Sequence, residues 1–156
     1  MAYKVIITKG VLDEYRKYYF EKYPNRRVFP IKKPIPPSLN YFIAIKRMAQ
    51  NTMKQQYKEF AVWLANVRGI ANMNLTKAEL SYKFYFGDMR RRDYDNLLIT
   101  PKLLNDGFVE AGVIVDDNGE NLRLSFEPFG YDKVNPRVEI TLIDLEEKCR
   151  EKRIRK

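Results

Sequence analysis

Residues 50–71 constrain the fold more than any other segment. Met53, Tyr57, Phe60, Ala61, Leu64, Val67 and Ala71 recur at steps of three and four, the period of one helix face. The opposite face carries Lys54, Gln55, Lys58 and Arg68, and Gly69 and Asn72 mark the end of the pattern. The period then changes. Leu80, Tyr82, Phe84 and Phe86 alternate with Ser81, Lys83 and Tyr85, which predicts a strand ended by Gly87-Asp88. A second helix is expected over 101–111, with Thr100 as N-cap, Pro101 at the first helical position and Gly112 as C-cap.

The remaining segments complete this order. An apolar run from Tyr3 to Thr8 leads into a helix-like stretch over 11–23, stopped by Pro24-Asn25. Residues 31–40 hold three prolines, which forbid a helix and favour an extended strand that breaks into a loop. Val113–Val115 reads as a short strand, Asp117-Asn118-Gly119 as a turn, and 122–126 with 137–143 as a final strand pair. Alternating strands and helices predict an α/β fold, an α+β mixed sheet with packed helices, in one domain. Three regions are expected: a lead-in over 1–30, the domain proper over 31–143, and a basic tail over 144–156. That tail reads as a solvated helix or, as the second reading, a contact to a nucleic-acid backbone.

Composition narrows the chemistry. The 156 residues carry 29 Lys and Arg against 20 Asp and Glu, a formal net charge of +9. A polyanionic partner is one explanation and solubility the other. There is one cysteine, Cys149, and no histidine. An internal disulfide and Ser-His or Cys-His catalysis are therefore excluded, and a zinc site of Cys and His nearly so. No stretch of about 18 apolar residues is present, so no membrane span is expected. The first residues lack the apolar core of a signal peptide, and a cytoplasmic location is expected.

The sharpest local feature is Arg90-Arg91-Arg92-Asp93-Tyr94-Asp95-Asn96. Carboxylates at i and i+2 lie on one side of an extended segment and repel each other. A hard divalent cation relieves that repulsion, and Mg²⁺ is commonly held by one or two carboxylates plus substrate phosphate. Asp116-Asp117 follows about twenty residues on, after a helix and a short strand, a unit that can return the chain to a neighbouring strand end. Arginines beside such acids suit a phosphodiester substrate. A charged surface turn with local ion pairs is the competing explanation.

Four motifs in order resemble the RusA-type Holliday-junction resolvases. Pro36-Pro37-Ser38-Leu39-Asn40 is similar to their early Pro-Pro-Ser-x-Asn segment, and Tyr57 to a Tyr on the helix that follows. Arg90 through Asn96 resembles Arg-Arg-x-Asp-x-Asp-Asn, and Lys102 to Asp106 resembles a Lys-x-x-x-Asp helix. Ala111-Gly112 and Asp116-Asp117 complete the series, which spans roughly 31–143. The resemblance implies an α/β homodimer that makes paired Mg²⁺- or Mn²⁺-dependent nicks in four-way DNA junctions, in recombination and repair. It implies Asp93, Asp95 and Asp117 as metal-site acids and Lys102 as a catalytic or phosphate-contacting base. Asp116, Asp106 and Asn96 are supporting residues by position, and Lys83, Arg90, Arg91 and Arg92 are the expected DNA contacts. One departure stands out. The family Lys comes four residues after the second Asp, where this chain has Ile99, and Lys102 lies three further on. The rival readings are a branched-DNA-binding protein of the same fold that does not cut, and an interaction domain whose charge only solubilises it.

Overall fold

The computed structural model describes residues 1–154. Strands β1 (Ala2–Ile7), β2 (Ala78–Phe86), β3 (Leu122–Phe126), β4 (Gly130–Tyr131) and β5 (Arg137–Asp144) form one mixed sheet in the order β1-β5-β2-β3, with β4 also on β2. β5 runs antiparallel to both β1 and β2, while β3 and β4 lie parallel to β2 on its other edge. The helices are α1 (Lys9–Lys22), α2 (Leu39–Ala44), α3 (Arg47–Val67), α4 (Ile99–Glu110) and α5 (Leu145–Ile154). The chain is thus a single mixed α+β domain, in agreement with its alternating sequence pattern.

Alternation along β2 builds the core. Leu80, Tyr82, Phe84 and Phe86 are buried, and register places the first three level with Leu142, Ile140 and Val138 of β5. Val5 and Ile7 extend this apolar face through β1. Helices cover it: the Tyr82 hydroxyl donates to Asn105 Oδ1 of α4 at 2.8 Å, inside the core. α3 crosses α4 closely, since a Cβ on Gly107 would lie 2.5 Å from the Ala61 Cβ. The other sheet face is polar and carries Lys4, Lys83, Tyr85, Arg137 and Glu139. Burial by itself raises the Glu139 carboxyl, but hydrogen bonds from Lys4 and Arg137 outweigh it and hold it low.

Residues 1–30 do more than lead in. β1 supplies an edge strand, and Val11, Leu12, Tyr15 and Tyr19 of α1 are buried in the same core as α3. The Tyr15 ring lies 5.0 Å from both Phe60 and Trp63. At the other end, α5 has no buried residue, as a solvated helix should. The last two tail positions, Arg155 and Lys156, lie outside the described residues.

Several local expectations change. The proline segment forms no strand. It bends, and Ser38 then caps α2 by accepting the Tyr41 N–H, so a short helix begins where a loop was expected. α3 spans 47–67 and not 50–71, which leaves Val67 exposed beyond the apolar stripe. α4 begins at Ile99, with Leu98 as an N-cap that gives no side-chain hydrogen bond. Thr100 is therefore inside the first turn, fully buried, and its hydroxyl has no hydrogen-bond partner among the described residues. Gly112 does follow the helix end at φ +69, the left-handed conformation that ends many helices. Val113–Val115 makes only an isolated parallel bridge, Ile114 to Leu75.

Candidate functional site

Two motif segments far apart in sequence meet at one cleft. Lys33, Pro36 and Ser38 form one wall, and Arg91, Arg92, Asp93 and Asn96 form the other, around a volume of about 600 Å³. The second wall begins where β2 ends. Gly87 and Asp88 turn the chain, Asp93 is still extended at φ −103 and ψ 140, and Tyr94–Leu97 winds into a 3₁₀ turn leading to α4. The expected extended Asp-x-Asp is thus broken after its first acid. Asp95 sits in the first turn of the 3₁₀ segment, so strand alternation no longer sets the two carboxylates on one side. Asp95 Oδ1 accepts the N–H of Asn96 at 3.1 Å, and Arg91 Nε approaches Asp93 Oδ1 at 3.8 Å.

The three arginines divide by role. The Arg92 guanidinium lies 3.9 Å over the Phe86 ring and pairs with Asp88 at 2.8 Å. It also donates to the Arg90 carbonyl at 3.0 Å. Arg92 thus braces the loop instead of standing free for a phosphate. The Asp88 carboxyl is held below its ordinary range by the Arg90 N–H first and by Arg92 second. Arg91 is 93% exposed at its side chain, and Arg90 is exposed as well. Lys83 stands on the polar sheet face, opposite to Phe84 and Phe86, and pairs with Glu127 at 3.9 Å. It therefore projects from the sheet away from the face on which Arg92 stacks.

Lys102 is exposed in the first turn of α4, with Nζ 6.0 Å from the Phe42 ring of α2. Ile99, its rival for the family position, is fully buried. Asp106 follows one turn after Lys102 and is exposed. Asp117 lies at the far end of β2: Val115 N–H bonds the Leu75 carbonyl and Ala78 N–H bonds the Asn121 carbonyl on either side of it. Its carboxyl is raised by burial first, then by the charges of Asp106 and Asp116. Asp116 Oδ1 in turn accepts the Asp117 N–H at 2.7 Å, and Asn118 donates to its other oxygen.

The acids therefore form two sets. Tyr94, between Asp93 and Asp95, reaches the sheet at Glu127, whose N–H bonds the Tyr82 carbonyl. Asp117 is level with Thr76–Ala78, and the step from Lys77 to Tyr82 is about 17 Å at ordinary strand rise. The strand-helix-strand return brings Asp117 beside Asp106, not beside Asp93 and Asp95. Among the described residues no three carboxylates, histidines or cysteines converge to hold a metal ion. The oxygen donors fit Mg²⁺ in kind, but their placement does not gather a coordination sphere.

Sequence reasoning missed two participants. Lys33 lines the cleft opposite Arg91, and only its place before Pro36-Pro37-Ser38 hinted at that. Tyr94 packs onto Phe129 and Phe126, residues no local pattern linked to it. No helix among the described residues is long and apolar enough to cross a membrane. No protein-family model matches the chain, and no curated protein matches it.

Proposed function

We propose that the protein is a metal-dependent endodeoxyribonuclease of the RusA kind, which nicks branched DNA as a homodimer in recombination and repair. The observation that carries the reading is the cleft shared by the Pro36–Ser38 and Arg91–Asn96 segments, two of the four motifs in which the resemblance resides. A net charge of +9 supports a polyanionic partner. Arg90 and Arg91 are exposed cations available to backbone phosphates, with Lys33 lining the cleft opposite Arg91. Lys102 presents a further cation from the start of α4, where helix N–H groups also favour an anion. Mg²⁺ or Mn²⁺ is the cofactor this reading implies; of the acids it names, Asp93 lines the cleft beside Asp88, and Asp95 follows two residues on.

The test incubates labelled four-way junction and linear duplex with Mg²⁺, with Mn²⁺ or with chelator. Paired nicks in the junction, absent with chelator and weak on duplex, are expected. Equal cutting of both substrates would leave a nuclease and remove the resolvase reading. Junction binding without cutting under either metal would identify a binding protein of the same fold. Asp93→Asn and Asp95→Asn should abolish cleavage and keep binding, because charge is lost with little change of shape. The resemblance expects the same of Asp117→Asn, but the separation of Asp117 from the other two acids predicts that this variant retains cleavage; its abolition would return Asp117 to the site. A solution mass near twice 18.6 kDa is expected for the homodimer.

A further inference from the structure

The acid-bearing loop has an anchor that none of the resemblance motifs includes. Tyr94 stands between Asp93 and Asp95, yet it is not among the residues that line the cleft beside Asp93. It packs on Phe129 with ring centroids 4.4 Å apart and meets Phe126 edge-on at 6.1 Å. Phe129 in turn packs edge-on against Phe86 at 5.4 Å and Phe84 at 6.5 Å, both buried on β2. Aromatic pairs at such separations are attractive beyond the area they bury.

The partner segment is unusual in its own right. Between β3 and β4 the chain leaves its regular ladder on β2, bonding only through the Glu127 N–H to Tyr82 and resuming at Gly130. That break lets Phe129 turn its ring onto the β2 face and leaves a seat for Tyr94. On the other side of the same 3₁₀ turn, Leu97 is buried. The turn is thus held at two points, by Leu97 in the core and by Tyr94 on the sheet edge, with Asp95 between them and Asp93 directly before.

We propose that Tyr94 is a positioning residue, which fixes the backbone of Asp93 and Asp95 through its ring contact with Phe129. The role rests on the nuclease reading for its purpose but not for its physical content. Tyr94 is 45% exposed, so its ring can be removed without opening the core. Its hydroxyl donates to the Glu127 carbonyl at 3.5 Å, too long to contribute much. The ring, not the hydroxyl, is therefore the working part, and phenylalanine should substitute for it.

Amide hydrogen exchange tests the anchor directly in the intact protein, comparing Tyr94→Ala, Phe129→Ala and Tyr94→Phe with the parent chain. Exchange at residues 93–98 should rise about tenfold or more in both alanine variants, stay at the parent level in Tyr94→Phe, and remain unchanged in β2 and β5. Unchanged exchange at 93–98 in Tyr94→Ala would overturn the proposal, and so would a rise spread evenly over the sheet. Junction cleavage as a function of Mg²⁺ is the second measurement. Tyr94→Ala should need about tenfold more Mg²⁺ for half-maximal rate, Tyr94→Phe should match the parent, and junction affinity in chelator should not change. Equal loss in Tyr94→Phe would make the hydroxyl the working group and overturn the assignment. If the parent chain cuts nothing, the nuclease reading fails alone, and the exchange result still decides whether Tyr94 holds the loop.

Discussion

At the scale of single residues, environment separates groups that the sequence treats alike. Ile99 and Lys102 compete for one family position, but Ile99 is fully buried while Lys102 is exposed. A charge at 99 would have to enter the core, so Ile99→Lys should destabilise by several kcal/mol and not raise activity. Lys102→Ala should leave the melting temperature nearly unchanged and slow cleavage by about tenfold, or ~1.4 kcal/mol of barrier. A silent Lys102→Ala in a cleaving protein would remove Lys102 from the reaction. Asp117 allows a second prediction. Its carboxyl is raised by burial and by Asp106 and Asp116, so folding favours its protonated form. That favourable contribution is complete below the ordinary carboxylate range and disappears as pH rises through the raised value. At neutral pH the ionised group therefore works against folding. Asp117→Asn should raise thermal stability at pH 7, by less than about 1 kcal/mol because solvent screens an exposed group, and the gain should vanish near pH 3. A lower melting temperature for the variant at pH 7 would show that Asp117 instead makes a favourable contact.

At the scale of elements, apolar period was a sound guide and short segments were not. α3 and β2 are legible because Phe60 and Leu64 in one, and Leu80 and Phe84 in the other, recur at the spacing of a buried face, whereas α4 was read from the residues at its ends. α2 and the 3₁₀ turn carry one buried residue each, Phe42 and Leu97, and one residue has no period. Ser38 and the packing of Leu97 decide those segments, and neither leaves a repeating pattern. The site divides in the same way. The cleft walls are legible as motifs, whereas the bracing role of Arg92 depends on a turn at Gly87-Asp88 that swings it back over Phe86. Gly107 tests the helix packing that carries Lys102 and Asp106. A Cβ there would meet the Ala61 Cβ at 2.5 Å and the Lys58 carbonyl oxygen at 2.6 Å, and backbone cannot move aside cheaply. Alanine ordinarily stabilises a helix by up to about 1 kcal/mol over glycine. Here Gly107→Ala should instead destabilise by about 1–3 kcal/mol, a fall of several degrees in melting temperature. Gly119→Ala, which meets nothing within 4 Å, is the control and should be neutral. A stabilised Gly107→Ala would mean that α3 and α4 lie further apart than the structure has them.

At the scale of the whole molecule, the placement of the cations matters more than the net charge of +9. Several of the basic groups already have partners: Lys4 and Arg137 with Glu139, Lys58 with Glu110, Lys83 with Glu127, and Arg92 with Asp88. Such groups neutralise charge within the protein, and a phosphate would have to displace their carboxylates first. Arg91 at the cleft and the exposed Arg90 before it have, among the described residues, no such commitment beyond the 3.8 Å approach of Arg91 to Asp93. Binding to DNA releases condensed counterions in proportion to the phosphates neutralised, so the logarithm of affinity falls linearly with the logarithm of salt. Arg90→Ala and Arg91→Ala should each weaken junction binding and reduce that slope by about 1. Lys83→Ala should leave the slope unchanged, because its ammonium lies on the polar sheet face against Glu127. Arg92→Ala should also spare the slope while loosening the loop that it braces. The measurement is junction affinity at several salt concentrations with chelator present, which separates binding from any cleavage. If Lys83→Ala and Arg92→Ala lower the slope as much as Arg90→Ala and Arg91→Ala do, DNA engages both sheet faces and the cleft is not the principal contact. If none of the four lowers it, the basic charge acts elsewhere, and α5 with its exposed Lys148, Arg150, Lys152 and Arg153 becomes the surface to vary next.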